Sequence, residues 1–228
     1  MVNIPYAYLL TTYYNIRLMT AAAVVLNEFI SIALPTYLLR PIGDVNNPAV
    51  RIRNRYLLNS TQVSLSNTAL AVGVYVVVMF SFLQTGRLTE LLIIHFDLPS
   101  VQGAYEETPV SLAAKVLAAG VATKAFLLNP SLAATPETGT ATPVETFDPA
   151  TATLPKTIKQ NFWFFSRRTR TLIQRTIVLS LALLTNTVQR CWTLEGGDIE
   201  GAAGYSGIWI MATVICASWY GWTGDADA

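Results

Sequence analysis

The stretch Leu18 to Leu39 limits what this chain can become more than any other. It is apolar for about the 20 residues a helix needs to cross the hydrocarbon core of a bilayer. Arg17 closes one end and Arg40 the other. Near its middle stand Asn27 and Glu28, the acid eleven residues from Arg17 and twelve from Arg40. At about 1.5 Å of rise per residue, Glu28 is expected about 16–18 Å from either end, near the midplane. A charge at a helix centre costs roughly 2.5–3.5 kcal/mol, which the apolar residues around it offset. Such an acid is expected to be protonated, paired inside the protein, or facing a wet cavity. It reads either as a carboxyl that ties helices together or as a relay for protons or ions.

Composition agrees with a membrane chain. Of 228 residues 52% are hydrophobic and only 13% charged, where soluble domains average about 25% charged. The net charge of +1 offers no basic field for nucleic acid, and no nucleic-acid partner is expected. Phosphate-loop, dinucleotide-binding and HExxH patterns are missing, and the two cysteines, Cys191 and Cys216, lie in apolar segments. With His95 as the single histidine, neither a metal site nor a cofactor is expected. Met1 to Asn15 carries no charged side chain but holds Tyr6, Tyr8, Tyr13 and Tyr14, which predicts an interfacial anchor rather than a cleaved leader.

Four more spans are expected, at about 67–86, 111–128, 175–192 and 201–222. Between the first two lies a polar loop with Arg51, Arg53 and Arg55, candidates for a lipid headgroup or for ordinary topogenic charge. Arg87 to Phe96, with Leu88, Leu91, Leu92 and His95 on one face, reads as an amphipathic surface helix or as a continuation of the second span. His95 and Asp97 pair only if that stretch is irregular.

The third span carries Lys115 and Lys124, nine residues apart and on roughly opposite faces. Both can snorkel to the two interfaces, or Lys124 can pair with Glu28. Ala114, Ala118 and Ala122 recur every four residues, which predicts a tightly packed interior face. The Thr-, Ala- and Pro-rich segment 129–154 reads as a linker. Residues 155–174 set Lys159, Arg167, Arg168 and Arg170 around Trp163, as expected of a helix lying among anionic headgroups.

In the fourth span Asn186 and Arg190 share a face, four residues apart. With Glu28, Asn27 and Lys124 they make up the candidate intramembrane polar set. Gly204 and Gly207 are expected to admit a neighbouring helix, and Trp219, Tyr220 and Trp222 to form an interfacial belt. Cations concentrate in the first and third loops, while the second holds only Arg87 and the fourth only Arg190. That asymmetry predicts an external or lumenal N-terminus and a cytosolic C-terminus, in the endomembrane system or the plasma membrane.

Two runs, Leu34-Pro35-Thr36-Tyr37-Leu38-Leu39-Arg40-Pro41 and Phe147-Asp148-Pro149-Ala150-Thr151-Ala152-Thr153, resemble an uncharacterised group of fungal multi-pass membrane proteins. The resemblance implies a fungal membrane protein and transfers no catalytic residue. The fold expected is all-α: a single membrane domain of about five spanning helices with interfacial amphipathic helices. No catalytic constellation is visible, so the leading expectation is a scaffold, assembly factor or accessory subunit with a protein partner or further copies of itself in the bilayer. The alternatives are a small transporter or channel using Glu28, and a membrane-embedded enzyme acting on an apolar substrate.

Overall fold

A computed structural model describes residues 1–40, 45–47, 55–134, 153–154, 157 and 166–223. Among them the chain is all-helical, with five helices long and apolar enough to cross a membrane. In chain order the helices are α1 (Ile4–Thr12), α2 (Leu18–Leu39), α3 (Arg55–Asn59), α4 (Thr61–Gln84), α5 (Arg87–His95), α6 (Gln102–Tyr105), α7 (Pro109–Thr123), α8 (Asn129–Ala133), α9 (Arg167–Cys191) and α10 (Ile199–Trp222). Lys124–Leu128 forms a π-helical turn that joins α7 to α8 in one continuous span.

Side chains at the starts of the long helices accept otherwise unpaired backbone N–H groups. Ser60 Oγ accepts from Val63 N (3.4 Å), Thr108 Oγ1 from Ser111 N (3.2 Å), Ser166 Oγ from Thr169 N (3.2 Å) and Asp198 Oδ1 from Gly201 N (2.6 Å). Two spans therefore begin earlier than expected: α4 at Thr61 rather than 67, and α9 at Arg167 rather than 175. Arg167, Arg168 and Arg170 thus open a spanning helix instead of belonging to a separate interfacial one.

The third span also outruns its predicted end, into the segment expected to be linker. Pro130 has no N–H to offer the carbonyl four residues back. That carbonyl, Phe126 O, accepts from Arg175 Nη1 of α9 (3.4 Å), whose guanidinium also lies over the Phe126 ring at 5.1 Å. The wider π turn falls beside this interruption, as such turns often do inside α-helices.

α10 is the hub. It packs on α9, α4 and α5, while α4 packs along α7. Its Trp209 is fully buried amid Tyr8, Tyr75 and Tyr205, with ring centroids 5.9–6.4 Å away. Tyr75 OH bonds with Thr123 Oγ1 (3.1 Å) and Thr213 Oγ1 (2.7 Å), so one phenol joins α4, α7 and α10. Gly120 lies so close to Val72 that an added Cβ would sit 3.0 Å from Val72 N.

The packed face of α7 is Leu112, Val116, Ala119, Gly120 and Thr123. Ala114 and Ala118 are exposed and Ala122 half-buried, so the alanine stripe faces largely outward, contrary to expectation. Gly204 does admit a neighbour, Leu91 of α5, whereas Gly207 has nothing within 4 Å. At the far end of α10, Trp219 and Trp222 are exposed, but Tyr220 is buried and donates to Asn67 O (2.9 Å).

The tyrosine-rich opening is not a surface anchor. Residues 4–12 form α1, and Ile4, Tyr8 and Leu9, with Tyr13 just after it, are buried in the core. Tyr205 OH donates to Pro5 O (2.6 Å), tying α1 to α10. Asn15, at φ 54, turns the chain between α1 and α2. Among the described residues α2 then leans on α1 and on little else: of its 22 residues Ala21 alone is buried.

Candidate functional site

Glu28 falls on the same face of α2 as Ala21 and Val25, so its carboxyl faces the bundle. One oxygen, Oε1, accepts from Arg190 Nη2 at 2.7 Å. The other, Oε2, accepts from Asn3 Nδ2 just before α1. Asn186, one turn before Arg190 on α9, completes the cluster. Its Nδ2 donates to Val2 O (2.8 Å) and Asn3 Oδ1 (3.1 Å), and its Oδ1 accepts from Arg190 Nε (3.3 Å). The Arg190 guanidinium also lies over the Tyr6 ring at 5.5 Å. Three chain segments distant in sequence are held by a neutral, hydrogen-bonded set.

The cluster is not fully out of solvent reach. Arg190 is the penultimate residue of α9, and about a quarter of each paired side chain is exposed, 29% for Arg190 and 26% for Glu28. Glu28 is central in its own helix but lies beside the end of a neighbouring one. α2 joins the bundle through its first half, where it packs on the short α1.

The other candidates divide. Lys124 does not meet Glu28; at the far end of the bundle its Nζ donates to Ser64 Oγ (2.9 Å). Asn27 points elsewhere too: its side chain is exposed, and its backbone O accepts from Ser31 Oγ (2.8 Å). Arg55 Nη2 donates to Asn47 O (2.6 Å). Arg51, Arg53, Lys159 and Trp163 lie outside the described residues, as does the 147–152 part of the second resemblance run. Arg168 and Arg170 are half-buried on the first turn of α9.

Two further polar constellations escaped the sequence reading. Lys115 does not snorkel: its Nζ pairs with Glu107, whose side chain is 2% exposed, and donates to Thr12 Oγ1 (3.1 Å) while lying 5.5 Å from the Tyr8 ring centroid. The acid sits in the short loop before α7, where only the tertiary structure reveals that α1 covers it. His95 pairs not with Asp97 but with Asp198, Nδ1 to Oδ2 at 2.8 Å. This contact and the Gly201 N–H hold the Asp198 carboxyl below its ordinary range.

Around His95 the backbone is interlocked, with Asp97 N donating to Glu195 O and Asp198 N to His95 O. Gly196, at φ +69, brings its backbone so near that an added Cβ would stand 2.6 Å from Asp97 Cβ. This clasp fastens the end of α5 to the loop between α9 and α10. Among the described residues no three His, Cys, Asp or Glu side chains gather as a metal site. Cys191 and Cys216 are free and buried.

No known family, curated protein or solved structure matches this chain, so the site is read from its own chemistry.

Proposed function

We propose that this chain is a non-catalytic multi-pass membrane protein, a scaffold, assembly factor or accessory subunit, that holds other membrane proteins through α2. The observation that carries the reading is α2 itself: a helix of mean hydropathy 1.7 that, among the described residues, buries only Ala21. A span held by one short helix and one ion pair leaves most of its circumference to lipid or to another helix. Both Glu28 oxygens are already engaged by Asn3 and Arg190, which favours a structural tie over a proton or ion relay.

Mild-detergent extraction from native membranes, followed by affinity capture and mass spectrometry, tests this reading. The intact chain is expected to bring other membrane proteins with it, and a version whose exposed α2 face is rewritten with leucines is expected to lose them. A chain that purifies alone, as a stable monomer, counts against the proposal.

We also propose an external or lumenal N-terminus. α3, which begins at Arg55, packs on α4 and α8, and the same end of the bundle holds the contacts of Lys124 with Ser64 and of Arg175 with Phe126. That end would face the cytosol, and Asn59 of the Asn59-Ser60-Thr61 sequon would stay unglycosylated. A mobility shift on endoglycosidase treatment that disappears in Asn59→Gln reverses the assignment.

A further inference from the structure

Asn27 is the least explained polar group on α2. Its side chain is exposed and, among the described residues, has no hydrogen-bond partner. Exposed Val24, Leu26, Phe29 and Ile30 surround it with apolar surface. A carboxamide on a helix surface of that kind lacks the water that would otherwise pair with it, so a partner across a helix–helix contact stabilises it.

The residues sharing its face are Thr20, Ala23, Ser31, Leu34 and Leu38, all exposed and spaced by threes and fours as in helix-pairing seams. The charged residues of α2 and its caps, Arg17, Glu28 and Arg40, fall roughly 70° or more around the helix from Asn27. The face is therefore uncharged and can meet its own copy without like-charge repulsion.

From this we infer that α2 joins two copies of the chain, with the Asn27 carboxamides of both copies hydrogen-bonded to each other. The inference rests on the reading of α2 as an interaction helix and names what it binds. Two copies inserted with one topology present their α2 helices in parallel. A two-fold axis along the membrane normal then sets each residue of the seam against itself. An amide is both donor and acceptor, so a second Asn27 satisfies it in both senses. The small side chains of Thr20, Ala23 and Ser31 let the two backbones approach near this point.

The test is cysteine cross-linking of the full chain in lipid nanodiscs or native membranes, with buried Cys191 and Cys216 left in place and the unaltered chain as control. Under mild oxidation Thr20→Cys and Ala23→Cys are expected to give covalent dimers, and Phe29→Cys, on the opposite face, is not. Adding Asn27→Leu to Ala23→Cys is expected to weaken dimerisation about five- to thirtyfold, while Asn27→Gln retains most of it. An unchanged unfolding midpoint in Asn27→Leu shows that the subunit fold is intact.

Equal cross-linking from both faces, or none from Thr20 and Ala23, overturns the proposal. If other membrane proteins still co-purify in that case, the interaction role of α2 stands and only its self-pairing fails. If nothing co-purifies either, both fail.

Discussion

The Arg190–Glu28 pair offers the sharpest test of how α2 is held. Arg190→Leu removes the guanidinium and leaves a carboxylate with Asn3 as its remaining hydrogen-bond partner among the described residues. An exposed ion pair contributes about 0–1 kcal/mol, and breaking a fully buried one costs about 3–5 kcal/mol. With roughly a quarter of each side chain exposed, this pair lies between, and a loss of about 2–3 kcal/mol is expected. Most of that cost comes from the stranded charge. The double change Glu28→Leu with Arg190→Leu is therefore expected to cost less than Arg190→Leu alone, about 1 kcal/mol, because Asn3 and Asn186 keep their bond to each other. Reversible unfolding in mixed micelles, run as a double-mutant cycle, measures both values. If the double variant loses as much as the sum of the two single variants, the side chains act independently and the coupling argued here is wrong.

Gly103→Ala is expected to cost about 3 kcal/mol or to dislodge α1, since the new methyl would run into the carbonyl of Thr12; protease sensitivity near residues 12–17 reports the release. Tyr75→Phe removes one hydroxyl from two bonds and should cost about 1–2 kcal/mol in thermal unfolding, whereas a change of a few tenths would mean the three-helix tie is idle. The Asp198 carboxyl is held below its ordinary 3.8, so its contribution is complete above that pH and lost as pH falls through the lowered value. Hydrogen exchange of residues 195–201 should accelerate only in that acid range, and Asp198→Asn, which retains an oxygen for Gly201 N, should remove the dependence.

Where apolar residues ran unbroken, the spans were legible. α2 is bounded by Arg17 and Arg40 as read, because the apolar residues on both sides of Asn27 and Glu28 outweigh the cost of those two polar groups. The first turns of α4 were missed because Thr61, Gln62, Ser64 and Ser66 look like loop. In the helix, the side chains of Ser66, Asn67 and Thr68 each donate to the carbonyl four residues back, at 2.8 Å, which hides their polarity. The eight residues before Arg175 were missed for the opposite reason: a helix continues past its apolar core once Ser166 caps it, whatever charges its first turns carry. Of the candidate set, Glu28, Asn186 and Arg190 proved to be neighbours, but only the fourfold spacing of the last two was visible beforehand.

Hydropathy is a local quantity, summed over a window no longer than one helix. That is why the chain's order alone determined, among the described residues, a helical bundle with five helices long and apolar enough to cross a membrane, and where polar residues fall along them. Pairing is not local. The folding back of α1 into the core, the meeting of Glu28 with Arg190 across 162 positions and of His95 with Asp198 across 103, and the cover over Glu107 follow from how helices pack against one another. Only the tertiary structure decided those contacts, because the free energy of a buried charge depends on what stands beside it in space.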